Sequence, residues 1–315
     1  MIGDIFSIIF TTEFGFSILR LTTPILFAAM AALVSNKAGT PNIGLEGIML
    51  FASLGGVLGS AFLGSVWLGL LFAILTGMLM SFIMAFFALK LKTDIILAGI
   101  IINLLGSGGT VFLLYAFTGQ HGNSEHLNSG ILPNIGIPLI KDIPVIGEIF
   151  SGHCALTYVS LLSVLFVWIF LYKTRPGMRI RAVGENADAA TSVGISVIRT
   201  QMRALLISGF LTGMAGAYMS MSYVSFFAKD MTGGRGFIAL AAEAMGNGRP
   251  LPTMISSFIF GAADSLANNI TVLKIPSEFV EMIPYITTIV GLIIYSVRKQ
   301  KKLQAKKKTL QPIIK

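Results

Sequence analysis

The chain has 315 residues, of which 54% are hydrophobic and only 12% charged, with a mean hydropathy of +0.82. Soluble domains carry about 25% charged residues, so a single core surrounded by water is excluded and a bilayer is the solvent that fits. The formal charge of +9 does not point to nucleic acid, because Arg298, Lys299, Lys301, Lys302, Lys306, Lys307, Lys308 and Lys315 supply nearly all of the excess in a tail without an acid.

Apolar runs fall at 17–35, 44–63, 66–89, 95–117, 154–172, 203–225, 236–246, 251–271 and 281–297. A span needs about 20 apolar residues. The expected fold is therefore all-α: a polytopic transmembrane helical bundle of about eight to ten spans. The run 236–246 is too short to cross alone and is expected to be a broken or re-entrant helix, a conformation tolerated only where protein or water satisfies the backbone. Residues 1–297 read as one transmembrane domain and 298–315 as a basic cytoplasmic tail that meets anionic membrane lipid. No basic segment precedes the first apolar run, so no cleaved signal peptide is expected. Cys154 is the only cysteine and reads as a small apolar residue.

Lys and Arg in short loops set orientation. Lys90 and Lys92 mark one cytoplasmic loop. Lys173, Arg175, Arg179, Arg181, Arg199 and Arg203 mark another, at about 173–203. Residues 118–153, rich in Gly, Pro, Asn and Ser, read as the outer loop. His121, His126 and His153, in or beside it, read as surface residues rather than a metal site. Nine crossings would put the N-terminus outside and the C-terminus in the cytoplasm.

Glu46, Asn103, Glu243, Asp264, Asn268 and Asn269 fall inside apolar runs, where a lipid-facing polar group costs a few kcal/mol. Each can hydrogen-bond a neighbouring helix; together they favour a polar pathway. Residues 39–50, GTPNIGLEGIML, place Asn42 and Glu46 at the mouth of an apolar run, and 233–246, GGRGFIALAAEAMG, repeat that plan around Glu243. Paired Gly-interrupted segments of this kind point to a transporter's binding site. Gly55 with Gly59, and Gly209 with Gly213, have the spacing of close helix packing. Pro24 and Pro284 are expected to kink their spans, and Trp67 and Trp168 to face lipid.

In the loop 173–203, Pro176 and Gly177 break the chain. GENADAATSVGI then offers Asn186 or Asp188 as the cap of a short small-residue helix able to dock on a partner. No Walker-A phosphate loop, H-E-x-x-H pair or G-x-S-x-G elbow occurs in the sequence, so no cofactor is expected.

NKAGTPNIGLEGIMLFASLGG, RPGMRIRAVGENADAATSVGI and GGRGFIALAAEAMGNGRPLPTMISSFIFGAADSL, over about residues 20 to 297, resemble permease subunits of bacterial nucleoside and simple-sugar ABC importers, in the ribose and branched-chain amino acid permease superfamily. The resemblance implies a permease of the bacterial inner membrane that carries a nucleoside or related sugar and is not itself an enzyme. It implies as partners an ABC ATPase subunit, a second permease that is not identical, and an extracellular substrate-binding protein. It implies ATPase coupling through Gly184, Glu185, Asn186, Ala189, Ala190 and Gly194, and a pathway helix from Asn42 to Gly47. The rival reading is a stand-alone carrier in which Glu46, Glu243 or Asp264 binds coupling protons or Na⁺.

Overall fold

The computed structural model describes residues 11–120, 122–138 and 143–270, and scattered helical positions from 286 to 297. The run expected at 281–297, Pro284 and the basic tail therefore lie largely or wholly outside the described residues.

Helix α1, Thr12–Lys37, starts where the Thr11 hydroxyl accepts the Phe14 N–H, and Glu13 in its first turn and Lys37 in its last complement the helix dipole. Every residue from Leu21 to Ser35, Pro24 included, is buried. A helix that is apolar all round belongs at the centre, and α1 packs against helices from the middle and the later part of the described chain.

Helix α2, Leu45–Leu63, ends on Gly64 at φ +63°, which lets the chain turn tightly into α3, Val66–Ala85, and a π-helical turn over Phe86–Lys90. Helix α4, Ile95–Thr118, is capped by Asp94, whose carboxylate accepts the Ile96 and Leu97 N–H groups. The segment after α4 carries a short helix α5, Ile146–Phe150, and an antiparallel pair of β1, Asn134–Ile135, with β2, His153–Cys154. Helix α6 follows at Ala155–Lys173. On the opposite end lie α7, Arg175–Glu185, and α8, Ala187–Ser192. Helix α9, Val197–Tyr218, continues as a π-helical turn through Tyr223; α10 is Arg235–Met245 and α11 is Pro250–Ile270.

Six helices among the described residues are long and apolar enough to cross a membrane: α1 to α4, α6 and α9, with the π-helical turns joined to α3 and α9. Their burial separates core from rim. In α1 and α9, 83% of the central window is buried, against 33% in α3, 28% in α4 and 39% in α6. The outward faces of these three carry Leu104, Phe112, Leu162 and Phe166, together with Trp67 and Trp168, as expected for a lipid-facing rim.

Helix α9 begins at Val197 rather than 203, because Arg199, Thr200 and Gln201 belong to the first turns of one continuous helix and are not apolar. Helix α10 has 11 residues and is about 16 Å long, a half-span as expected. Close approach holds the core together. A Cβ on Gly77 would lie 2.7 Å from the Gly209 carbonyl oxygen and from Gly213 Cα, and one on Gly213 would lie 2.9 Å from Ile74 Cα. The Gly209 and Gly213 spacing is therefore a seam between α3 and α9.

The two ends of the bundle are distinct. At one end Gln201 donates to the Ala38 carbonyl and Gly39 touches Gly184. At the other, Ser124 N–H donates to the Phe227 carbonyl at 2.8 Å, Phe227 N–H donates back to the Ser124 hydroxyl, and Leu132 N–H donates to the Met221 carbonyl. His153 is not a surface histidine: it is buried, stacked on Phe16 at 3.9 Å, and bonded through Nε2 to the Ile149 carbonyl. Burial lowers its pKa below the ordinary imidazole value, partly opposed by that hydrogen bond.

Candidate functional site

The turn before α2 lies inside the bundle. Pro41 and Gly44 prevent α1 from running into α2, and Asn42, fully buried, folds the intervening chain. Its carbonyl oxygen accepts the Gly44 N–H at 3.1 Å, its amide donates to the Ser208 hydroxyl of α9 at 2.9 Å, and its backbone N–H donates to Ser35. An Asx turn of this type is a local alternative to helix. Asn103 of α4 supports the same turn from the other side. It accepts the Gly47 N–H at 2.8 Å and donates to the Ile43 carbonyl at 2.9 Å. Asn103→Leu should leave both backbone groups unpaired, lowering stability by about 1–3 kcal/mol for each group stranded, read as a fall in melting temperature in detergent.

Glu46, in the first turn of α2, is turned onto the start of α10. Its Oε1 accepts the Thr232 hydroxyl at 2.5 Å and the Gly234 N–H at 2.8 Å, and its Oε2 accepts the Gly236 N–H at 2.6 Å. Helix α10 has no side-chain cap of its own, because Gly234 at φ +77° precedes it. One carboxylate therefore sits between two helix N-termini, each presenting unpaired N–H groups and the positive end of its dipole. A Cβ on Gly236 would lie 2.6 Å from Glu46 N, so the approach requires glycine. The two Gly-rich segments with a common plan thus meet in space. Their acids are not equivalent, since Glu46 opens α2 whereas Glu243 lies near the end of α10.

Beside this junction Arg235 forms an ion pair with Asp264 of α11 at 2.8 Å and donates to the Thr232 carbonyl. The Tyr223 ring faces Arg235 at 5.5 Å and Arg20 at 4.8 Å, and Arg20 also donates to the Tyr223 carbonyl. Arg20, Tyr223 and Arg235 are absent from the sequence-based set. Their signal was available: Arg20 interrupts an apolar run, and Arg235 follows the Gly pair that opens α10.

Glu243 forms a separate cluster, about 12 Å further along α10, where it accepts from the Asn36 amide at 2.7 Å close to Lys37. Asn268 has a bonding partner, and Asn269 donates to the Ser265 carbonyl of its own helix. The structure thus brings Asn42, Glu46 and Asn103 together around one turn, places Asp264 beside it through Arg235, and leaves Glu243 apart.

In the basic loop 173–203, Pro176 lies in the first turn of α7, capped by Thr174, rather than in a break. Asn186 caps α8 by accepting the Ala189 N–H at 3.0 Å. Gly194, at φ +80°, closes the turn after α8. Glu185, Asn186 and Ala189 are exposed, as is Val193 at 74%. Ala190 is turned inward and buried, so a bulky residue there would act on the fold of the knob itself. A Cβ on Gly184 would fall on the Lys37 carbonyl oxygen, which ties the knob directly to the end of α1.

The branched-chain amino acid transport system / permease component family matches residues 15–292. The chain is 35% identical over 292 residues to the nucleoside ABC transporter permease protein NupC of Lactococcus lactis subsp. cremoris, covering 89% of this chain and 90% of that protein. It is 33% identical over 280 residues to the guanosine ABC transporter permease protein NupQ of Bacillus subtilis, covering 85% and 87% respectively. In fold it is similar to a chain of PsaBC from Streptococcus pneumoniae in complex with Fab, with a TM-score of 0.52 and 15% identity over 96% of this chain and 100% of that one. With its apolar rim, its buried half-helix and its match along nearly the whole length, the chain is a multi-pass membrane protein that belongs to the branched-chain amino acid transport system / permease component family.

Proposed function

We propose that this chain is the permease subunit of an ABC importer for a nucleoside or related simple sugar. The observation that carries this reading is the near full-length similarity to NupC and NupQ. In this reading the chain does no covalent chemistry. ATP hydrolysis takes place on a partner subunit docked at α8, a second permease completes the pore, and an external binding protein delivers substrate to residues 122–138 and 143–154. The C-terminus lies in the cytoplasm of a bacterial inner membrane.

The geometry suggests how force would travel. Gly184 rests on the end of α1, and the chain runs only a few residues from there through Gly39 and Asn42 to Glu46, which holds α10. Movement of α8 would therefore reach both interior helix starts. We assign Asn42, Glu46, Asn103, Glu243, Asp264 and Asn268 to the wall of the pathway. Amides and carboxylates there suit ribose hydroxyls, which donate and accept. The stand-alone carrier is disfavoured because the relatives that match along nearly the whole chain are ABC transporter permeases.

The decisive experiment is purification with native partners and measurement of ATPase stimulation by nucleosides, free sugars and branched-chain amino acids. Nucleosides should stimulate most; stimulation by branched-chain amino acids alone would reject the proposed substrate. Sidedness has its own test. With Cys154 replaced, Asn123→Cys and Asn134→Cys, both exposed, should react with an impermeant thiol reagent from outside. Asp188→Cys should not, and its labelling from outside would reverse the orientation. Glu185→Arg should weaken copurification of the ATPase, and undiminished copurification and transport would remove α8 from the interface.

A further inference from the structure

A groove of about 240 Å³ opens on the outside of the bundle where α6 ends, α7 begins and α9 starts. Its polar side is formed by Arg179 and Arg203. Its walls are Phe170, Leu206 and Ile207. Among the described residues neither guanidinium has an ion-pair or hydrogen-bond partner, although both are rigid forks suited to bidentate phosphate contact.

The level of the groove in the bilayer can be read from its neighbours. Lys173 lies over the Trp168 ring at 5.7 Å and Arg181 over the Tyr172 ring at 4.6 Å, both on the last turns of α6. Aromatic rings paired with cations at a span end mark the interface between headgroups and hydrocarbon. The apolar wall continues from there toward the bilayer core. Phe166 and Phe170 stack at 6.2 Å on α6, and Ile207 and Phe210 follow on the facing side of α9. Phe166 and Phe210 are exposed. Two unpaired cations at headgroup level, above an apolar track, match an amphiphile with an anionic head. The residues assigned to the substrate path lie elsewhere, at the turn before α2 and on α2, α4, α10 and α11, and none of them lines this groove.

We propose that the groove is a binding site for an anionic phospholipid of the cytoplasmic leaflet, with its phosphate between Arg179 and Arg203 and an acyl chain along Phe170, Ile207 and Phe210. Bound there, the lipid joins the α6–α7 corner to the start of α9, the two segments that flank α8. The larger groove among α2, α3 and α4, lined by Phe62, Phe72 and Phe117, has no charged side chain and gives no basis for a headgroup.

The test uses the assembled transporter in phosphatidylcholine nanodiscs with and without phosphatidylglycerol. Native mass spectrometry should show phosphatidylglycerol retained in preference to phosphatidylcholine. Arg179→Gln with Arg203→Gln should lower its apparent affinity about thirtyfold, from about fivefold for each cation near an anionic surface. Arg179→Lys with Arg203→Lys should retain most of it. Equal retention in parent and double Gln variant overturns the proposal. Displacement of the lipid by soluble glycerol phosphate would show a phosphate site without an acyl component and overturns it as well. A measurement on the unsubstituted groove covers variants that fail to assemble. In a Trp67→Phe background, brominated phosphatidylglycerol should quench Trp168 more than brominated phosphatidylcholine does. Equal quenching, or an Arg203→Cys cross-link to a second permease chain, overturns the site.

Discussion

Glu46→Ala is expected to prevent assembly of a functional transporter. It strands the Thr232 hydroxyl and the Gly234 and Gly236 N–H groups and removes the negative charge between two helix N-termini. Each buried donor left unpaired costs about 1–3 kcal/mol and three are stranded, a large share of the 5–15 kcal/mol typical of a folded domain. Glu46→Gln separates charge from shape. A Gln retains one acceptor, but its amide nitrogen must face at least one backbone donor, and two donors cannot pair. The expected outcome is a complex that assembles, melts lower by the equivalent of about 1–3 kcal/mol, and transports poorly. A Gln variant as stable and active as the parent would show that the charge plays no part.

Gly184→Ala is expected to uncouple the transporter with less effect on assembly. The added methyl would fall on the Lys37 carbonyl oxygen and lie 3.1 Å from Gly39 N, both of them backbone atoms, so the knob must move away from the end of α1. Overpacking of this kind costs about 1–3 kcal/mol. Because α8 stays capped by Asn186, ATPase docking should persist while substrate no longer stimulates hydrolysis. The readout is the ratio of stimulated to basal ATPase activity together with transport. Parent-like values for both would remove the α7–α1 contact from the coupling route. Loss of ATPase copurification would instead place Gly184 in docking.

The span plan was legible because it depends on composition alone. Apolar runs at 44–63, 66–89, 95–117 and 154–172 reappear as α2, α3 with its π-helical turn, α4 and α6, within one or two residues. The half-helix was legible from its length. The starts of α1 and α9 were not, since Thr12, Glu13, Arg199 and Thr200 are helical but not apolar, and hydropathy registers only the lipid-matched part of a helix. The family was legible in NIGLEG, the GEN loop and GRGFIALA, which carry the turn before α2, the cap of α8 and the start of α10.

The sequence by itself determined that the chain spans a bilayer, where its interior polar groups fall, and that two Gly-opened segments matter. Those properties are local, being set by hydropathy and by the turn chemistry of Gly, Pro and Asn. Only the tertiary structure decided which polar groups face one another. It joined Glu46 to the α10 start nearly 190 positions away (|i−j| = 186 to 190), gave Asp264 to Arg235, and turned Ala190 inward. These pairings follow from helices crossing at a few glycines, and a one-dimensional pattern holds no information about which side of each helix meets which neighbour.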